Sequence, residues 1–127
     1  MASITTSHKD AAIAFLDLGS SGRVREAYAT HVAPTFRHHN PYFPGDSASL
    51  AAGMSENAAK FPNKSLHVER AIEEGDLVAV HSRVRLSPEM PEMALVHVFR
   101  FEGERIAELW DIGQPVPEDV LNQYGMF

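Results

Sequence analysis

Polar groups set inside apolar runs are where this sequence can do chemistry. His97 sits in the run Ala94–Phe101, between Val96 and Val98, and Asp111 is flanked by Trp110 and Ile112. His81 follows Val78, Ala79 and Val80, and His39 and Asn40 precede Pro41. A carboxylate between two large apolar neighbours is desolvated unless something pairs with it, which is how a general base working near neutrality is made. An imidazole nearby can polarise a carbonyl or hold the carboxylate. Plainer readings stand beside these. A histidine in a strand is commonly a hydrogen-bonded core residue, and an aspartate near a strand end can bond a loop N–H. His81 can equally line a side that faces a partner.

Other chemistries lack their residues. There are no cysteines, which removes thiolate metal sites, iron–sulfur clusters and a cysteine nucleophile. Glycine-rich phosphate or dinucleotide loops and a Gly-x-Ser-x-Gly elbow are missing too. The seven histidines include no His-x-His and no His-Glu-x-x-His, and the adjacent His38 and His39 project in different directions if extended. Neither a metal nor an organic cofactor is expected. A net charge of −6 argues against a partner with a phosphate backbone. No apolar run approaches the roughly 20 residues that cross a bilayer, and residues 1–9 lack a signal-like apolar core, so a cytoplasmic protein is expected. At 127 residues the chain reads as one domain, 1–127, with no room for a separate cofactor domain.

The elements that must position these groups follow from periodicity and punctuation. Ser7, with Asp10 three residues on, starts a helix carrying Ala12, Phe15 and Leu16 and stopped by Gly19. Ser21 starts a second through Val24, Ala27, Tyr28 and His31, closed by Pro34. Asp46 or Ser47 caps a third along Leu50, Ala51, Met54 and Ala58, ended by Pro62. The segment Thr35–Gly45 is too rich in proline, aromatics and histidine for a plain linker. From residue 65 the period becomes two: Ser65–Glu73 and Leu77–Leu86 flank one hairpin turn, Ala94–Phe101 and Arg105–Ile112 a second. Helices followed by an antiparallel meander make an α+β pattern. Because Ala94–Phe101 is apolar on both alternations, one sheet face takes the helices and the other needs a second cover, most simply a partner subunit. The ending Gln114–Phe127 is expected to pack on the pocket rim or on that partner.

These residues resemble the SnoaL-like proteins, the polyketide-cyclase branch of the NTF2-like superfamily. The resemblance runs through His39-Asn40-Pro41 after two short helices, the third helix, the two hairpins, His97–Phe101 with Glu108–Asp111, and the ending Gln114–Phe127. It implies a cone-shaped α+β barrel in which three helices close a curved antiparallel sheet around an apolar pocket. It also implies a homodimer through the outer sheet face and an intramolecular aldol condensation without metal or organic cofactor. The family's acid/base aspartate matches Asp111, and its pocket histidine matches His97. Leu95 stands where those cyclases place a glutamine.

Function is therefore expected to be acid/base catalysis on a small, mostly apolar or aromatic carbonyl compound, or related isomerase or dehydratase chemistry. Asp111 and His97 would be catalytic. His39, Asn40, Tyr28, Phe36, Phe99, Trp110 and His81 are candidates for the pocket and its walls. The alternative is an NTF2-like module that binds a ligand or a protein without turnover. Hairpin register decides whether the pair can meet. A two-residue loop at Gly103-Glu104 sets His97 opposite Trp110, whereas a three-residue loop or a bulge puts His97 and Asp111 on one face. The sequence leaves both open.

Overall fold

Each helix begins where a side chain can satisfy its first free N–H. Ser7 caps α1 (His8–Ser20) by accepting from the Asp10 N–H, and Asp46 caps α3 (Ser47–Lys60) by accepting from that of Ser49. The short α2 (Val24–His31) has no side-chain cap and leans on packing through Val24 and Ala27. The computed structural model describes residues 7–127. The described residues also form five strands: β1 (Val32–His38), β2 (Ser65–Glu74), β3 (Leu77–Arg85), β4 (Met93–Glu102) and β5 (Arg105–Pro115). Their order in the sheet is β1-β5-β4-β3-β2, antiparallel except where β1 runs parallel to β5.

The α+β architecture of three helices on a curved sheet is present, and the sheet stays open, with the helices closing the inner side. β1 is the element that sequence periodicity missed. It contains Pro34, which donates no ladder hydrogen bond, and it tolerates that residue because it is the edge strand. The core lies between helices and sheet, where Phe15 packs edge-on against Phe99 and Tyr28, and Tyr28 against Phe36. His8 ties α1 to both hairpins. Its ring stacks on Phe101 and its two nitrogens face the carbonyls of Gly75 and Gly103 at 3.1 and 2.9 Å.

Both hairpins use two-residue loops with glycine first: Gly75 and Gly103 each have φ of 60°, as a type II′ turn requires. The short loop sets Glu102 opposite Arg105 and Phe101 opposite Ile106, and then the ladder slips. Ala107 has no partner on β4, so Arg100 pairs with Glu108 and His97 pairs with Asp111. This bulge explains why Ile106 and Leu109, three residues apart, both enter the core.

The outer sheet face carries an apolar row, Ile72, Ala79, Val98 and Trp110, one residue from each of four strands. Ile72 and Ile112 on this face are 65% and 68% exposed. Beside the row, buried Glu108 receives Arg37 from β1, Arg100 from β4 and His39. The C-terminal tail lies here too. Phe127 stacks on His81 and sits under the Arg83 guanidinium, 4.2 Å from its ring centre. The tail thus docks its last residue, Phe127, on the outer face of its own sheet rather than on the pocket rim, because His81 and Arg83 point away from the helices, while Leu121 and Tyr124 stay exposed.

Candidate functional site

A cavity of about 480 Å³ opens between the helices and the inner face of β4 and β5. Its walls are apolar (Phe15 and Leu16 of α1, Leu50 and Met54 of α3, Leu95 and Leu109 of the sheet), and its polar groups include Asn40, Asp111, His97, Asn57 and Lys64. That composition, apolar with a few convergent polar groups, is typical of a small-molecule site. Glycine shapes it at two places. A Cβ on Gly53 would run into the Phe43 ring, and one on Gly19 would lie 2.6 Å from Met54 Cε; beside the cavity, one on Gly113 would run into Leu95 Cδ2. The space at Gly113 lets Leu95 lean across β5 at the cavity edge.

Asp111 and His97 are direct cross-strand partners on the cavity wall. Asn40 orients the carboxylate: its Nδ2 donates to Asp111 Oδ2 at 2.9 Å. Asn40 is itself clamped, since its Oδ1 accepts from the Tyr42 N–H and its own N–H donates to His38 Nδ1. The turn at Pro41 makes those short-range bonds possible and aims the amide inward. His97 is 9% exposed, and its buried Nδ1 has no hydrogen-bond partner. Burial drives its pKa down to about 4; the Asp111 charge pulls the other way, and Lys64 adds to the depression. The ring is therefore neutral at pH 7. Tyr28, which donates to Met54 Sδ at 3.3 Å, has its phenol pKa raised by burial and by the Asp111 charge, so it stays protonated.

The remaining sequence candidates fall elsewhere. Phe36, Phe99 and Tyr28 form the packed core behind the cavity. His39, Trp110 and His81 are outside it, which corrects their expected place. Trp110 neighbours Asp111 on β5 and so points to the opposite face, where His39 stacks on it at 5.0 Å and bonds Glu108 at 2.6 Å. His81 alternates with the buried Val80 and Ser82 and meets Arg70 and Phe127 on the outer face. Lys64 and Asn57 were not expected. A single lysine after Pro62 and Asn63 reads as a solvated loop residue, and nothing in its spacing marks it.

The buried histidine makes stability pH-dependent with a definite sign. The folded His97 pKa lies below its ordinary 6.5, so between pH 6.5 and about 4 the unfolded chain binds a proton that the folded chain refuses. Stability should fall as pH drops through that window, at up to about 1.4 kcal/mol per pH unit. Glu108 acts lower. Held down to about 2 by Arg37 and then His39, its contribution is full above 4.5 and lost as pH falls toward 2. Denaturant melts of His97→Gln should therefore show a flatter profile from pH 6.5 to 4.5. An unchanged profile would contradict the buried neutral ring.

Residues 12–109 match the SnoaL-like domain. The chain belongs to the SnoaL-like family. No curated protein matches it. Among solved structures, this SnoaL-like chain is similar to wild-type IdmH, a proposed polyketide cyclase from Streptomyces antibioticus, at 21% identity and TM-score 0.71, covering 85% of this chain and 92% of that one. It is also similar to AclR, a proposed hydroxylase from Streptomyces galilaeus (21%, TM-score 0.64, 80% and 87%). An NTF2-like protein of unknown function from Cytophaga hutchinsonii matches as well (15%, TM-score 0.70, 89% and 95%). At these identities the likeness is one of fold, and the NTF2-like α+β architecture is the conclusion it supports. Among the described residues no helix is long and apolar enough to cross a membrane.

Proposed function

We propose that this SnoaL-like protein is a cofactor-independent acid/base enzyme for a small aromatic or mostly apolar carbonyl compound, of the aldol-condensation type or of related isomerase or dehydratase chemistry. One observation carries the reading: Asp111, aimed by Asn40, and the neutral His97 are cross-strand partners on the wall of one apolar cavity. Asp111 takes a proton from the carbon next to a carbonyl, and the neutral His97 ring donates its N–H to that carbonyl oxygen as charge develops there. In an aldol step the resulting enolate carbon attacks a second carbonyl, and the proton on Asp111 goes to the new alkoxide. The single domain, 1–127, would supply every group used.

Deuterium wash-in tests this reading. Fused-ring ketones incubated with the protein in D₂O should gain deuterium at the α-carbon faster than in buffer. Binding without any wash-in would instead support the second reading, a ligand-binding module, which the fixed Asn40–Asp111 hydrogen bond favours.

The proposed assembly is a cytoplasmic homodimer that buries the Ile72–Trp110 row and Ile112 on the outer face. Sedimentation at micromolar concentration should give a dimer, and Ile112→Glu a monomer with the cavity intact. A monomeric wild type would contradict this.

A further inference from the structure

Lys64 is the charged group of the cavity that the proposed chemistry leaves unused. It stands in the loop between α3 and β2 and lines the same cavity as Asp111 and His97. Its Nζ donates to Asn57 Oδ1 at 2.7 Å. Among the described residues it belongs to no ion pair. An ammonium has three N–H donors, and here one is held by a neutral amide. Lys64 is half-buried, and burial lowers its pKa. Its neighbour in the field of the site, His97, is nine-tenths buried with an unpartnered nitrogen. A wholly apolar ligand filling this space would cut Lys64 off further from water without giving it a partner, which is costly. A ligand with an anionic oxygen would turn that cost into a charge-assisted hydrogen bond.

Lys64 enters the cavity from a different element than the reacting pair, and the backbones are well separated. Leu66, two residues after Lys64, aligns through Val84 with Met93, and Met93 lies four residues from His97 along β4. Four residues of strand span roughly 13 Å. The cavity thus takes its anionic group, Asp111, from β5 and a cation from the α3–β2 loop, and the ammonium is near enough for its charge to act on His97.

We infer that Lys64 is the carboxylate-recognition residue of this cavity, so that the ligand is an aromatic or fused-ring keto acid whose acid end sits on Lys64 while its ketone lies at His97 and Asp111. The inference rests on the acid/base reading and deepens it. Asp111 repels the carboxylate and Lys64 attracts it, so charge alone fixes which end of the ligand reaches the base. Asn57 is a positioning residue, holding Nζ toward the cavity without neutralising it.

Calorimetric titration of the full chain with 2-naphthoate and its neutral isostere 2-naphthamide tests this. Wild type should bind the acid about tenfold or more tightly than the amide. Lys64→Met should lose that preference and keep its affinity for the amide, and Lys64→Arg should restore it. Asn57→Asp, which pairs the ammonium within the protein, should weaken the acid selectively and keeps the test open if Lys64→Met folds poorly. Asp111→Asn should retain or increase the preference. Amide binding with no preference for the acid, or a preference that survives Lys64→Met, would overturn the role of Lys64 and leave the acid/base reading standing. Binding of neither probe would overturn the aromatic keto-acid ligand, and wash-in with fused-ring ketones then decides the acid/base reading separately. A Lys64-dependent preference alongside full wash-in activity in Asp111→Asn would support Lys64 and overturn Asp111 as the base.

Discussion

Asp111→Asn is expected to lose roughly 10²–10⁴-fold in turnover, the usual contribution of a positioned general acid/base, while the fold is unchanged. The substitution is close to isosteric. The new side chain can turn its carbonyl oxygen toward Asn40 Nδ2, so the hydrogen bond that now measures 2.9 Å survives in kind. What disappears is the ability to accept a proton and return it. The comparison that separates a chemical role from a structural one is kcat against melting temperature. A large fall in kcat with unchanged melting fits the mechanism. A variant with wild-type kcat removes Asp111 from it. Asn40→Ala should behave differently, leaving the carboxylate basic but unaimed, with a smaller fall in kcat.

Insertion of a second alanine after Ala107 is expected to be the most damaging single change to the fold. The two-residue turn is fixed by Gly103, and Ala107 is the extra residue that shifts β5 by one position beyond it. With one more residue beyond the same single-residue bulge, the ladder would turn Asp111 and Leu109 outward and bring Glu108 and Trp110 inward, because a slip of one residue exchanges the faces of a strand. Glu108 would leave Arg37 and Arg100, and a carboxylate would enter the core where Leu109 packs. Burying an unpaired charge belongs to the short list of changes that cost more than about 4 kcal/mol. Thermal unfolding should show loss of a cooperative transition or a drop of well over 10 °C, by the scaling of about 2–8 °C per kcal/mol for domains of this general size. An insertion variant that melts within a few degrees of wild type would mean that the strand finds its register some other way.

The same bulge marks where the sequence stops being legible. Four strands and three helices could be read from the chain because their signals are local: capping side chains at Ser7 and Asp46, periods of two, glycines at the turns. Parity then depended on a single unpaired residue, Ala107, whose side chain gives no sign of it. β1 was hidden for a related reason. A parallel edge strand pairs with a segment some seventy residues away, and Pro34 argues locally against any strand. In the site, Asp111, His97 and Asn40 stood out as polar groups inside apolar or turn-forming runs. His39 and Trp110 stood out equally and went to the other face, since neighbouring residues of an extended segment alternate. Lys64 carried no local mark, because only the walls brought around it by α1, α3 and the sheet place it in the cavity.

The most direct measurement of the central claim is a crystal structure with an enolisable fused-ring ketone bound. The ketone is expected in the cavity between α1, α3 and the sheet, with an Asp111 carboxylate oxygen about 3–3.5 Å from the α-carbon and a His97 ring nitrogen within hydrogen-bond reach of the carbonyl oxygen. A ketone seated on the outer sheet face, or one in the cavity with its carbonyl turned to the mouth at Tyr42 and Asp111 still bonded to Asn40 alone, would contradict that claim.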